Sequence, residues 1–123
     1  GLDLPEQWPQ VPIVYGCVEP TGFQITALLQ AGVDGLVFTG TGSGQLSRSE
    51  RQALEEWQGA LPLMLRSNRC GSGPVHDRED DAELGLLAAA ELNPAKARVL
   101  LLLAVIAGLE RDALAGLLSA SHR

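Results

Sequence analysis

Three short apolar runs, Val11 to Tyr15, Val33 to Thr39 and Leu61 to Leu65, recur along the chain with helix-length segments between them. β-Branched and apolar runs of this size, bounded by glycine or proline, have the composition of buried strands. Each stays apolar instead of alternating with polar residues, as strands do when a parallel sheet is covered on both faces. The intervening segments supply the crossover helices that parallel strands require. Thr21 is placed to cap a helix running through Ala31, with Phe23, Ala27, Leu28 and Ala31 near helical spacing and Gly32 as the stop. Ser47 or Ser49 caps a second helix, with Leu54 and Trp57 on one face and Gly59 beyond its end.

The pattern continues less regularly toward the C-terminus. Arg66 to Asp81 is polar and rich in turn residues, and reads as a long connection. Leu84 to Leu92 reads either as helix, from its alanines, or as a short fourth strand starting near Leu86. Asn93-Pro94 opens a helix, since asparagine caps well and proline suits the first helical position. That helix should run to about Ala107 with Val99, Leu102, Leu103 and Ile106 inward, before Gly108 breaks it. Glu110 to Ala120 forms a last amphipathic helix with Leu114, Leu117 and Leu118 inward. The expected architecture is therefore α/β, a three-layer αβα domain around a small, mostly parallel sheet of about four strands. Residues 11–123 form that one domain, and residues 1–10, with Pro5, Trp8 and Pro9, read as an extended linker leading into it.

Composition narrows the partners. The 123 residues carry nine Lys plus Arg against fifteen Asp plus Glu, a net charge of -6, which argues against nucleic acid or an anionic membrane surface. No apolar run approaches the ~20 residues of a membrane span. Cys17 and Cys70 make neither a disulfide framework nor a metal spacing, and read as free thiols. His76 and His122 likewise have no partner at zinc-ligand spacing.

In an open parallel sheet ligands gather beyond the carboxyl ends of the strands, so the segments after Tyr15, Thr39 and Leu65 are the ones to search. Gly40-Thr41-Gly42-Ser43-Gly44-Gln45 follows a strand and precedes a helix, where backbone amides can hold an anion or carboxylate. It is not a nucleotide motif, because Gln45 stands where the dinucleotide pattern needs glycine and no Lys-Ser or Lys-Thr pair follows. A tight turn needing positive φ explains the same glycines. Arg66-Ser67-Asn68-Arg69 reads either as a carboxylate- or carbonyl-binding loop or as satisfied residues at a subunit contact. Glu79-Asp80-Asp81 reads as a solvated acidic turn in preference to a Mg²⁺ site, because carboxylates adjacent in sequence point apart. Thr41, Ser43 and Ser47 have no histidine or lysine nearby to activate them, so no complete catalytic constellation is present. A receiver-type domain built on Asp80 and Asp81 also fits poorly, since it wants acidic residues after the first strand, where Gly16 and Cys17 stand.

Taken in order, Val11-Pro-Ile-Val-Tyr15, Ala31-Gly-Val-Asp-Gly-Leu36, Gly40-Thr-Gly-Ser-Gly-Gln-Leu46, Arg66-Ser-Asn-Arg69 and Leu92-Asn-Pro-Ala-Lys-Ala-Arg-Val-Leu-Leu101 make a pattern. It resembles the C-terminal domain of the bacterial L-asparaginase and glutaminase-asparaginase family, and the Leu-Asn-Pro-x-Lys-Ala-Arg piece looks more like the high-affinity, often exported type (type II). The resemblance implies a Rossmann-like or flavodoxin-like domain of a two-domain amidohydrolase that converts asparagine, and sometimes glutamine, to the acid plus ammonia. It implies no metal or organic cofactor. The nucleophilic threonine and its assisting residues belong to the family's larger N-terminal domain, so no catalytic residue is expected among these 123 and the chain alone should be inactive.

The resemblance further implies that this domain lends polar side chains to a neighbouring subunit's active site, in an assembly of two close dimers. Its partners would be the N-terminal asparaginase domains of its own and the neighbouring subunit, and the substrate. Ser43 and Gln45, in the glycine-rich turn, take substrate-binding positions, Gln45 standing where the family has an asparagine one methylene shorter. The family's glutamate that pairs with the substrate ammonium falls on Arg78 when counted back from Asn93 without gaps, with Glu79 one residue on. Glu79 is the assignment, because a cation facing an ammonium costs about 1 kcal/mol at roughly 4 Å even in water. The alternative is a stand-alone regulatory or binding domain for a small amino acid or carboxylate, using the Gly40–Gln45 and Arg66–Arg69 segments.

Overall fold

The computed structural model describes residues 8–15, 22–40, 48–68, 84–89 and 92–121. Its elements in chain order are β1 (Ile13–Tyr15), α1 (Gly22–Ala31), β2 (Gly35–Gly40), α2 (Arg48–Glu56), β3 (Leu63–Asn68), β4 (Leu86–Ala88), α3 (Pro94–Ala107) and α4 (Arg111–Ser121). The strands lie side by side in the order β1-β2-β3-β4, and every pair is parallel. The fourth strand takes the second of the two readings that its sequence left open. Its three residues are all buried, which suits a short apolar segment paired to Met64, Leu65 and Arg66.

Alternation along the strands sends successive side chains to opposite faces and so creates two cores. Leu36 and Phe38 of β2, Met64 of β3 and Leu86 of β4 face Ile25 and Leu29 of α1 and Leu54 of α2. Val37, Leu65 and Leu87 face the other way, onto Ala97, Leu101 and Ala104 of α3 and Leu114 and Leu118 of α4. This is the three-layer αβα arrangement. Both edge strands are tied down by arginine: Arg98 Nε donates to the Val11 carbonyl at 2.8 Å, and Arg111 Nη2 to the Leu86 carbonyl at 3.0 Å. At the amino edge the Gln10 amide donates to Asp34 Oδ2 at 2.7 Å, while the Asp34 amide donates to the Gln10 carbonyl at 2.8 Å.

Helix ends follow their capping residues. Asn93 Oδ1 accepts the Lys96 amide at 2.8 Å, and Gly108 closes α3 in the left-handed region at φ 70°. Inward faces are where spacing misleads. On α1 the buried residues are Ile25 and Leu29, while Phe23 is 80% exposed and Ala27 and Ala31 face out. Both sets repeat every four residues, so period alone does not choose between them. Contact at Gly22 decides: a Cβ there would lie 2.6 Å from the Ser49 carbonyl oxygen, so this side of α1 is pressed onto α2 and Ile25 and Leu29 follow it inward.

The same correction applies to α3. Ala97, Leu101 and Ala104 are buried, whereas Val99 and Leu103 are 53% and 46% exposed and Leu102 and Ile106 are half-buried. From Val99 to Ala107 no polar residue marks an outside, and the small alanines let the helix lie close over β2 and β3. On α4, Leu114 and Leu118 point inward as expected, but Leu117 is half-exposed.

Candidate functional site

Parallel pairing brings all four strand carboxyl ends to one edge. Tyr15 is in register with Thr39 and Thr39 with Ser67, and one residue further Gly40 is in register with Asn68. Adjacent strands lie about 4.8 Å apart, so the connections leaving β2 and β3 start side by side. One of these, residues 41–47, holds Ser43 and Gln45 and ends at Arg48, the first residue of α2. The other, residues 69–83, begins after Asn68 and holds Arg78, Glu79, Asp80 and Asp81 together with Cys70 and His76. Ser43, Gln45 and Glu79 themselves lie outside the described residues, as do Arg69, Cys17 and His122.

The hydroxyls just beneath this edge serve the backbone. Buried Thr39 donates from Oγ1 to the Val14 carbonyl at 3.3 Å, stitching β2 to β1. Ser67, equally buried, donates from Oγ to the Leu92 carbonyl at 2.9 Å, which fixes the entry to α3. Arg66 and Ser67 therefore belong to β3 and not to the loop after it, as their polar character had suggested. The ladder simply continues through them, pairing Arg66 with Phe38 and with Ala88. Arg66 is 1% exposed and, by alternation with Met64, lies on the α1/α2 face of the sheet.

A second buried charge on that face is one that sequence reasoning missed. Glu50, in the first turn of α2, is 3% exposed. Its spacing gives it away, because it stands four residues before buried Leu54 and shares that residue's side of the helix. The amino ends of α1 and α2 meet here, through Gly22 and Ser49, and two helix N-termini side by side favour negative charge nearby. An open hollow of about 550 Å³ runs along α2, lined by Arg48, Arg51, Gln52, Glu55 and Glu56. With both charge signs on one helix face, and Gln52 Nε2 bonded to Glu56 Oε1 at 3.0 Å, it is a solvated surface and not a ligand site. Among the described residues no cluster of His, Cys, Asp or Glu is placed to hold a metal ion, and no helix is long and apolar enough to cross a membrane.

The fold and this edge define a class, the open parallel α/β domain whose connections gather at the carboxyl ends of its strands. Comparison with known proteins then gives the family. Residues 10–118 match the Glutaminase/Asparaginase C-terminal domain. L-asparaginase 2 of Bacillus subtilis (strain 168) is 39% identical over 100 residues, covering 81% of this chain and 27% of that protein. L-asparaginase 2 of Escherichia coli (strain K12) is 40% identical over 99 residues, covering 79% of this chain and 28% of that protein. The crystal structure of a probable cytoplasmic L-asparaginase from Campylobacter jejuni superposes with a TM-score of 0.77 at 29% identity, over 89% of this chain and 34% of that one. The chain belongs to the bacterial glutaminase/asparaginase family, as its C-terminal domain. It spans a little over a quarter of the length of these two curated relatives.

Proposed function

We propose that this chain is the C-terminal domain of an amidohydrolase that converts L-asparagine and water to L-aspartate and ammonia, and that it completes the substrate site without supplying the nucleophile. The match over residues 10–118 to the Glutaminase/Asparaginase C-terminal domain carries this reading. Residues 41–47 and 69–83, which start side by side at the carboxyl edge, are the segments that would reach a neighbouring subunit's site. Ser43 and Gln45 would hydrogen-bond the amino-acid end of the substrate, and Glu79 would pair with its ammonium. The bond that breaks joins the carbonyl carbon of the substrate amide to its nitrogen, and the attacking hydroxyl comes from the family's other domain. Residues 1–10 would act as the linker between the two, joining the domain at Gln10, where the family match begins and where the backbone is already bonded to Asp34.

Two measurements test this. The 123-residue chain alone should release no ammonia from asparagine or glutamine. A chimera in which residues 10–118 replace the matching part of the Bacillus subtilis L-asparaginase 2 should release it. In that chimera Gln45→Ala and Glu79→Ala should lower kcat/KM, chiefly through KM, and leave the assembly intact. A loss from Arg78→Ala with none from Glu79→Ala would overturn the Glu79 assignment. An inactive but folded chimera, together with a ligand-dependent rise in Tm of the isolated chain with aspartate, would replace the whole reading with a binding domain.

A further inference from the structure

An open sheet has two edges, and an edge strand offers outward N–H and C=O groups to any extended polypeptide that comes alongside. Here the edges are β1 and β4. Along β1 the carbonyls of Gln10, Pro12 and Val14 turn toward β2, where they accept the Asp34 and Gly35 amides, the Val37 amide and the Thr39 hydroxyl. Val11 and Ile13, between them, turn outward. Pro12 does not guard this edge, because a strand residue's nitrogen and carbonyl point to one side and its missing N–H therefore lies toward β2. At β4 the Ala89 amide donates inward to the Arg66 carbonyl at 2.9 Å, so Leu86, three residues earlier, turns outward.

Each of these outward carbonyls is held by an arginine from the α3/α4 layer. Arg98 Nε, on α3, reaches the Val11 carbonyl at 2.8 Å from 87 positions away in sequence. Arg111 Nη2, on the first residue of α4, takes the Leu86 carbonyl at 3.0 Å. Arg111 is half-buried, and its buried Nε has no hydrogen-bond partner among the described residues. A buried donor left unmatched costs stability, so packing alone does not account for an arginine there. We propose that Arg98 and Arg111 are edge stops, which close the two open edges of the sheet against strand addition by another polypeptide. Ile-Val-Tyr of β1 and Leu-Leu-Ala of β4 are uncharged, apolar segments of the kind that pair readily once an edge is open. An incoming strand would have to displace a guanidinium from each carbonyl and leave that charge either buried or without its acceptor.

The test is incubation of the 123-residue chain and its variants below the melting temperature of the least stable, followed by thioflavin T fluorescence and light scattering. Arg98→Met puts a methyl group where Nε stands and Arg98→Gln puts an amide nitrogen there, so within this pair the donor is what changes. Both are expected to fold, since Arg98 is exposed. Arg98→Met should lose its soluble form to thioflavin-positive aggregates, and adding Arg111→Met should speed that loss. Arg98→Gln and the parent chain should stay thioflavin-negative. Leu101→Ala is the control for simple destabilisation: it empties part of the core, leaves both arginines on their carbonyls, and should aggregate more slowly than Arg98→Met. An Arg98→Met chain that stays thioflavin-negative, an Arg98→Gln chain that aggregates as readily as Arg98→Met, or a Leu101→Ala chain that aggregates as fast would each overturn the inference.

Discussion

On one side of the sheet α1 and α2 bury Ile25, Leu29 and Leu54 alongside two charged residues, Glu50 and Arg66. On the other side α3 and α4 bury aliphatic residues, with alanine at Ala89, Ala97 and Ala104, and the two buried hydroxyls that alternation places on this face, Thr39 and Ser67, are bonded to the Val14 and Leu92 carbonyls. The difference follows from what each layer is attached to. The amino ends of α1 and α2 lie at the carboxyl edge and α2 receives the 41–47 connection directly, so polar groups beneath them sit where a site must be positioned. The α3/α4 layer is entered at the same edge, through residues 89–93 after β4, but receives neither the 41–47 nor the 69–83 connection and is free to be optimised for packing. One layer therefore positions and the other stabilises, and substitutions in the two should differ in kind as well as in size.

The largest effect belongs to the packing layer. Leu101 is fully buried and lies against Gly35 and the centre of the sheet. Leu101→Ala should cost about 3 kcal/mol, the transfer term plus the cavity left between α3 and β2. For a domain of this size that lowers Tm by roughly 10 °C. In the active chimera, assayed where it is still folded, it should leave KM unchanged.

Gly22→Ala tests the positioning layer. Its Cβ would meet the Ser49 carbonyl oxygen at 2.6 Å and its carbon at 3.1 Å, and backbone cannot rotate away as a side chain can. Separating α1 from α2 should cost about 2 kcal/mol. Because Ser49 lies in the first turn of α2, the displacement passes to residues 41–47, and KM of the chimera should rise. Equal effects of Gly22→Ala and Leu101→Ala on KM would abolish the distinction between the layers.

How much of this was legible in sequence follows the same division. The parallel sheet, the Asn93 cap and the Gly108 stop could be read because each is written in local chemistry: continuous apolar strands, a side-chain acceptor, a residue free to adopt positive φ. The inward faces of α1 and α3 could not, because Phe23 and Ile25, or Leu101 and Leu103, are equally apolar and only tertiary contact chooses between them. The end of β3 was misplaced for a related reason. Arg66 and Ser67 look like loop residues until Phe38, Ala88 and the Leu92 carbonyl supply their ladder and hydrogen-bond partners. Of the candidate site, sequence and fold together give the edge and the segments 41–47 and 69–83, while the roles of Ser43, Gln45 and Glu79 rest on family resemblance.

A smaller and more local effect is expected at the entry to the packing layer. Asn93→Ala removes the acceptor for the Lys96 amide and should cost about 1 kcal/mol, read as a modest fall in Tm. Asn93→Asp should recover it, since a carboxylate at a helix start accepts the same bond and suits the dipole. A loss that Asp fails to recover would mean that the cap matters for something other than that acceptor.

The smallest effect should separate the layers most cleanly, because it repeats the glycine-to-alanine change on the other face. At Gly35 a Cβ would meet Leu101 Cδ2 at 3.0 Å and Cγ at 3.1 Å, with the Leu63 carbonyl oxygen at 3.3 Å. The tightest neighbours are the outer atoms of a leucine on a helix, which can yield by a few tenths of an ångström, unlike the Ser49 carbonyl opposite Gly22. Against that crowding stands the reduced freedom of the unfolded polypeptide, which favours alanine by roughly 0.4–1 kcal/mol where the backbone conformation permits it. Gly35 sits in ordinary strand conformation within β2, so the two terms nearly cancel and Gly35→Ala should change stability by less than about 1 kcal/mol. A denaturation midpoint displaced as far as that of Gly22→Ala would mean that α3 is held over the sheet as rigidly as α1 is held against α2, and that the packing layer has no give to distinguish it from the positioning one.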